Sequence, residues 1–336
     1  MSVKLSIHDL APIGPGQSTS DSFRASVALA QTAERHGYTR VWYAEHHNMS
    51  MIASSATSVV IAHVGAHTST IRLGAGGVML PNHSPLVIAE QFGTLAAMYP
   101  DRIDLGLGRA PGSDQATMRA LRVDPMAAAS FPEDVRELRG YLSDETLVPG
   151  INAIPGRGSH VPLYILGSSL FGAKLAAAFG LPYAFASHFS PGALDAALDA
   201  YRTEFRPSET LDAPYVICGV NVLATDRAED ADAQRQAVRR ARAVALYGRR
   251  GPGHGPREAT DAYADHLLAA GMAGPVDEML TFTAAGTSAD VRGYLEEFVA
   301  RTGADELMVG HQAPALADRL HSVGLLAEAM APALVG

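Results

Sequence analysis

Three adjacent side chains that can carry protons, Glu45, His46 and His47, follow directly on the apolar run Val41-Trp42-Tyr43-Ala44. An imidazole with an ordinary pKa of about 6.5 takes or gives a proton near neutrality, and a carboxylate beside it can orient or charge it. General acid–base work is the chemistry this triplet suggests. Satisfied structural histidines at a strand end are the alternative, and the stretch alone leaves it open. Metal binding fits less well, because adjacent strand residues point to opposite faces and the chain contains no His-x-His. His63 and His67 lie one helical turn apart, but Val64-Gly65-Ala66 between them lack the glutamate of a zinc-protease helix. That pair reads as helix surface or interface. A second set of groups suits an anion: Arg109 is a fixed positive charge, and Ser168-Ser169 open a helix whose first backbone N–H groups have no partner within the helix. Together they read as a phosphate site, with a structural ion pair and an ordinary helix cap as the other reading.

These groups need strands to hold them. Arg40 to Ala44 reads as a short strand buried on both faces, the kind found in parallel sheets under helices. The helix before it, about Asp21 to His36, stops at Gly37. Glu45, His46 and His47 then fall at the strand's C-terminal end, where (β/α)8 barrels and open α/β sheets place chemistry. Further strands are expected at Val3 to Asp9, Ile71 to Met79, Ile103 to Gly108, Pro162 to Gly167, Tyr183 to Ala186, Tyr215 to Ala224 and Glu306 to Gly310. Helices are expected at about Ser55 to His67, from Ser84-Pro85 to near Tyr99, Phe131 to Leu142, Ser168 to Phe179, Gly192 to Phe205 and Pro314 to Met330. Eight strands alternating with helices, without a linker-like break, predict an α/β fold: one (β/α)8 TIM barrel over residues 1–336. Residues 225–305 separate the seventh and eighth strands, far more than a crossover needs. A mobile lid is expected around 248–285, where Arg249-Arg250-Gly251-Pro252-Gly253-His254-Gly255-Pro256 reads as a hinge.

Composition narrows the function classes. With 47% hydrophobic and 18% charged residues, the 336-residue chain can bury a large core. Its net charge of −9 argues against nucleic-acid or anionic-membrane partners. The N-terminus is a strand pattern rather than a signal sequence, and no apolar run is long enough to span a bilayer, so a cytoplasmic protein is expected. Cys218 is the one cysteine, and its setting in Val216-Ile217-Cys218-Gly219-Val220 reads as strand core rather than a nucleophile. Pro85 to Met98 is apolar almost all round, which predicts burial on two sides. We therefore expect a homodimer in which this helix and Ser55 to His67 contribute to the interface. Gly106-Leu107-Gly108 is a weak dinucleotide signal, because position 111 is proline and no helix starts at once.

Several of these stretches together resemble a known family. Tyr43-Ala44-Glu45-His46-His47, Gly74-Ala75-Gly76-Gly77-Val78-Met79-Leu80-Pro81-Asn82-His83-Ser84-Pro85, Asp101-Arg102-Ile103-Asp104-Leu105-Gly106-Leu107-Gly108-Arg109-Ala110-Pro111-Gly112-Ser113-Asp114 and Ala177-Ala178-Phe179-Gly180-Leu181-Pro182 are similar to the bacterial luciferase-like flavin-dependent monooxygenases. The match in order and spacing runs from the first strand to the sixth. The luciferase-like oxygenases of actinomycete polyketide pathways are a narrower likeness. The resemblance implies a two-component enzyme: FMN reduced by a separate flavin reductase, O2 added at the flavin C4a carbon, and one oxygen atom passed from the hydroperoxide to a small organic substrate. It implies that His46 is the catalytic histidine beside the flavin, supported by Glu45 and His47, and that Arg109 binds the flavin phosphate. Backbone donors at Ser168, Ser169 and Gly172 would assist, and no metal is implied. The family's non-proline cis peptide under the flavin maps to Gly76-Gly77, where two glycines add the least crowding. At the fifth helix start Ser168 and Gly172 replace the acidic and threonine side chains of better-known luciferases, so phosphate contact there rests on backbone. The same barrel using the deazaflavin F420 for hydride transfer, or serving as a non-catalytic flavin-binding subunit, are the rival readings.

Overall fold

A computed structural model describes residues 3–110, 114–124, 126–248 and 260–331. Strand β1 (Lys4–Asp9) lies between β2 (Arg40–Tyr43) and β9 (Glu306–His311). Pairing then runs from β2 through β3 (Arg72–Met79), β4 (Ile103–Gly108), β5 (Leu163–Gly167), β6 (Tyr183–Phe185) and β7 (Val216–Ala224) back to β9. Every pairing is parallel, so eight strands close a (β/α)8 barrel as expected. A ninth strand, β8 (Thr283–Gly286), was not anticipated. It pairs with Asn221 to Ala224 of β7, and since Asn221 and Val222 also pair with β9, β8 must take the opposite edge, above β6.

The helices follow their caps. α1 (Thr19–Arg35) starts at a capping box between Ser18 and Asp21, two orphan ends satisfied reciprocally. α2 (Thr57–Gly65), α3 (Pro85–Met98), a short α4 (Gln115–Ala120) and α5 (Phe131–Leu142) follow in the first half. α4, capped by Asp114, is too short to leave a periodic pattern, and sequence reading passes over it. α6 (Leu170–Phe179) ends at Gly180, whose φ of 60° is the left-handed stop that glycine allows. α7 (Leu194–Glu204) leads into β7. The long insertion after β7 holds α8 (Ala228–Tyr247), α9 (Asp261–Leu267), α10 (Ala273–Met279), β8 and α11 (Ser288–Thr302), and α12 (Leu316–Met330) closes the barrel. The lid expected at 248–285 falls partly on 249–259, outside the described residues. Its described remainder includes α9, the π-helical turn Leu268–Met272, α10 and the first residues of β8.

Ser84 precedes Pro85 in an extended conformation as a cap should, yet its hydroxyl makes no cap bond. Part of α3 is covered by the chain itself. A Cβ on Gly93 would lie 2.2 Å from the Gly156 Cα, so the connection around residues 153–156 lies directly on α3. What stays exposed is narrower: Val87 and Met98 on α3, Val59 on α2, and Ile151 and Ile154 on that connection.

The barrel floor is polar, which an apolar reading of β2 does not suggest. Arg40, the first residue of β2, donates to Asp104 of β4 at 2.8 Å, to the Tyr164 hydroxyl at 2.6 Å and to Glu306 of β9 at 3.2 Å. Arg72 donates to the other Asp104 oxygen at 2.6 Å, Trp42 Nε1 to Asp104 at 3.2 Å, Tyr215 to Glu306 at 2.7 Å, and Ser6 also to Glu306. Asp104 and Glu306 are wholly buried. Two buried carboxylates between guanidinium and hydroxyl donors tie β1 to β5 with β7 and β9, and they persist because each is paired. Arg40→Met removes the shared cation and leaves both carboxylates short of a partner. We expect a loss of about 3–5 kcal/mol in urea unfolding, and a loss under about 1 kcal/mol would show that the cluster is dispensable.

Candidate active site at the barrel mouth

Beyond Tyr43 the β2 chain runs on as loop, and its amides dock on its neighbours. The Glu45 N–H reaches the Gly77 carbonyl at 3.3 Å and the His46 N–H reaches the Ser54 carbonyl at 3.0 Å. These anchors turn the Glu45 side chain inward, where it is buried. Its carboxylate accepts from the Met79 N–H at 2.9 Å, the Asn82 amide at 3.1 Å, His47 Nε2 at 2.8 Å and His83 Nε2 at 2.9 Å. Burial alone would raise its pKa. The donors from His83, His47 and Met79 outweigh burial and hold the group below the usual glutamate value. Glu45 is therefore an ionised acceptor, and it fixes the Nε2–H form of both histidines. Of the adjacent pair, His47 is committed to this carboxylate, while half-buried His46 lies close enough to His8 to perturb its charge.

His8, near the end of β1, donates from Nε2 to the Gly76 carbonyl at 2.8 Å. Burial brings its pKa down to about 4 against the lift from that bond, with His46 lowering it further. His188, just past β6, stands edge-on to His8 with ring centres 5.2 Å apart, and burial pushes its pKa well down as well. Both rings are neutral near pH 7. Gly76 and Gly77 are joined by a cis peptide. A Cβ on Gly76 would sit 2.8 Å from the Trp42 Cβ, and one on Gly77 would sit 2.7 Å from the Gly106 carbonyl oxygen. Only glycine fits at either place, so β3 presents two positions without side chains at the mouth.

Arg109 follows β4 and is exposed, with its guanidinium carbon 3.9 Å from the centre of the Phe171 ring. Phe171 lies in the first turn of α6, so Arg109 is brought beside that helix's N-terminus. Ser169 is the N-cap and its hydroxyl makes no cap bond, which leaves the first-turn N–H groups of Leu170, Phe171 and Gly172 without an intrahelical partner. Ser168 is half-buried beside it. Gly172 is buried, and a Cβ there would approach the Tyr183 ring to 3.3 Å, so its lack of a side chain seats α6 on β6. Arg109, Ser168, Ser169 and Gly172 thus form one cluster, and Glu45, His46, His47, Gly76 and Gly77 form another. Gly77 links the two, because a Cβ there would also meet Leu166 of β5 at 3.3 Å. His63 and His67 lie away from both, on the exposed end of α2, with His67 Nδ1 at 2.8 Å from the His63 carbonyl. Cys218 is buried in β7 and burial raises its thiol to about 12, which makes it inert.

Sequence reading assigned no role to His8, Asn82, His83, His188, Arg242 or Gln312. Asn82 and His83 were within reach of it, since a buried acid needs several donors and the turn after β3 lies next to the turn after β2. His8 and His188 meet only because the barrel closes.

A closed parallel barrel with a buried acid–imidazole network at its C-terminal mouth defines the chain as a (β/α)8 barrel whose polar side chains gather where barrel enzymes place their chemistry. More narrowly, residues 3–306 match the sequence profile of the luciferase-like monooxygenases, and the chain belongs to that family. It is 46% identical over 324 residues to a luciferase-like monooxygenase of Escherichia coli K12, covering 96% of each chain. It is 34% identical over 282 residues to the N-acetyl-S-alkylcysteine monooxygenase of Bacillus subtilis, covering 79% of this chain and 80% of that one. Among solved structures it superposes on apo-MsnO8 with a TM-score of 0.83 at 33% identity, covering 97% and 98% of the two chains.

The His8 shift has a consequence for stability. A folded-state pKa of about 4, below the ordinary 6.5, means that the unfolded chain binds the proton first. Stability is then fully present above pH 6.5 and is lost as the pH falls from there toward 4, by up to about 3 kcal/mol for this group. In His8→Gln the difference between urea stabilities at pH 7 and pH 4.5 should shrink accordingly. An unchanged difference would show that His8 titrates normally.

Proposed function

We propose that this chain is the oxygenating component of a two-component monooxygenase, acting as one unit with reduced FMN supplied by a separate flavin reductase. What carries the reading is the meeting, at one barrel mouth, of a side-chain-free strip, a held imidazole cluster and an anion cradle. The residues fit the cofactor. Arg109 and the free N–H groups of α6, with Ser168 and Ser169 at its start, would hold the phosphate. Gly76 and Gly77 would accept the flat ring system, which no side chain at those positions obstructs. When bound, reduced FMN supplies the electrons that activate O2 for transfer of one oxygen atom to a small organic substrate.

The chain's own groups divide the remaining work. His46 takes or gives a proton at its imidazole. Glu45 keeps His47 and His83 in fixed tautomers and so packs a rigid wall behind His46. His8, bonded to the Gly76 carbonyl, holds the orientation of the Gly76–Gly77 peptide. The neutral imidazoles and the glycine strip limit how much water reaches the reacting atoms.

Anaerobic titration with reduced FMN, followed by single-turnover oxygenation, tests the assignment. Arg109→Ala should weaken reduced-FMN binding by about 1.5–3 kcal/mol, the worth of a hydrogen bond to a charged group. His46→Ala should bind FMN nearly as wild type does yet lose coupled product formation roughly 10²- to 10⁴-fold. Full coupled turnover in His46→Ala would make that residue structural. A chain that binds F420 in place of FMN, or that binds FMN without consuming O2, would point to the rival readings.

We also infer a homodimer built on α2 and α3. Val59, Val87, Met98, Ile151 and Ile154 remain exposed there, and covering them would remove apolar surface from water. Light scattering at micromolar concentration should report a dimer, which Val87→Asp with Val59→Asp should dissociate. A monomeric wild type would overturn this.

A further inference from the structure

α8 carries four arginines, and three of them are paired on its outer side. Arg235 meets Asp232 at 3.0 Å, Arg239 meets Asp277 at 2.6 Å and Arg240 meets Asp265 at 2.8 Å. Arg242 is different. It turns toward the barrel mouth, is half-buried, and donates to the Gln312 side-chain oxygen at 3.3 Å. Among the described residues no carboxylate lies within ion-pairing distance of it, and burial lowers its pKa without an acid to offset the loss of hydration. A guanidinium withdrawn from water with only one neutral amide facing it is a site for an anion.

The surroundings are shaped to the same end. Gln312 follows β9, and a Cβ on Gly310 would come 2.8 Å from its Nε2 and 3.2 Å from the Asn221 Oδ1, so Gly310 leaves room for both amides. Asn221 is wholly buried in β7, donates to the His188 carbonyl at 2.7 Å, and has an Oδ1 with no protein partner. His188 in turn lies over Gly219, where any Cβ would fall 2.0 Å from its Nδ1, and stands edge-on to His8. His8 holds the Gly76 carbonyl. A continuous wall therefore runs from the glycine strip, through two neutral imidazoles and two amides, to one unpaired cation.

We propose that Arg242, with Gln312, binds a carboxylate on the organic substrate, so that the substrate class is small organic acids whose oxidisable part extends from Arg242 toward Gly76. This rests on the monooxygenase reading above. The charge fixes one end of the substrate, and the uncharged His188–His8 wall accepts the rest without competing for it.

The test uses the full chain loaded with reduced FMN under anaerobic conditions and three acids of different shape: benzoate, octanoate and N-acetyl-S-methylcysteine, each beside its carboxamide. Calorimetric titration should find at least one acid that binds about tenfold or more tightly than its amide. Arg242→Met should erase that preference, a change of roughly 10- to 100-fold for one charge-assisted hydrogen bond. Arg242→Lys should retain part of it, and Arg239→Met, which removes the same charge from the outer face, should leave it intact. Absence of binding by all three acids, equal binding of acids and amides, or an unaltered preference in Arg242→Met would each overturn the proposal. FMN affinity is measured in the same samples. Loss of FMN binding by the wild type would remove the functional reading, whereas intact FMN binding without acid preference removes only this inference.

Discussion

Glu45 is a charge taken out of water, and every group that faces it has to be a donor. That requirement organises the mouth of the barrel. It draws in the Met79 amide and Asn82 and His83 from the turn after β3, and it fixes His47 from its own loop. Two imidazoles are thereby committed to a structural task with set tautomers. His46 has its backbone anchored on Ser54 and lies near enough to His8 to lower that group's pKa. The acid thus gives His47 a partner that fixes its tautomer.

The barrel contains a second polar interior, and the contrast between the two is informative. On the floor, Arg40 and Arg72 face Asp104, and Arg40 with two hydroxyls faces Glu306, so charges are matched within the protein and nothing further is needed. Among the described residues the mouth is less completely matched: Arg109 stands over the Phe171 ring, α6 begins without a side-chain cap, and Arg242 faces the Gln312 amide. A closed network contributes rigidity at one end, and under the function proposed above the positive groups at the other end are those that receive anions.

How much of this could be read from sequence depended on the range of the interaction. Phe131–Leu142 was legible to the residue because its apolar face repeats with helical period and proline and acids mark its start. The position of Glu45-His46-His47 past a strand end is legible because the triplet is local, and the positions of Arg109 and Ser168-Ser169 because both follow strands of a barrel whose strands can be counted. β8 was not, since Thr283-Ala284-Ala285-Gly286 has no alternating or β-branched pattern and becomes a strand only by pairing along the upper edge of β7. The chain of contacts from His8 to His188 joins β1 to the loop after β6, about 180 residues away in the sequence. No local signal marks either residue. Arg242 was illegible for a different reason: in the run Arg239-Arg240-Ala241-Arg242 all three arginines look alike, and only the helix's placement separates the paired from the unpaired.

The extra strand and that unpaired arginine belong to one arrangement. β8 prolongs the sheet along β7 above β6, and α8 packs against both β7 and β8. An ordinary crossover helix would keep its charges in solvent. Here one face of α8 is turned inward, and a side chain in its next-to-last turn reaches the end of β9. The strands from β1 to β5, with the start of α6, place Glu45 and its imidazoles, the glycine pair and Arg109, while β6 to β9 and the insertion place His188, Asn221, Gln312 and Arg242. Under the function proposed above, this division keeps the chemistry in the first half and lets the second half alter what is accepted, without disturbing the carboxylate on which the first half is built.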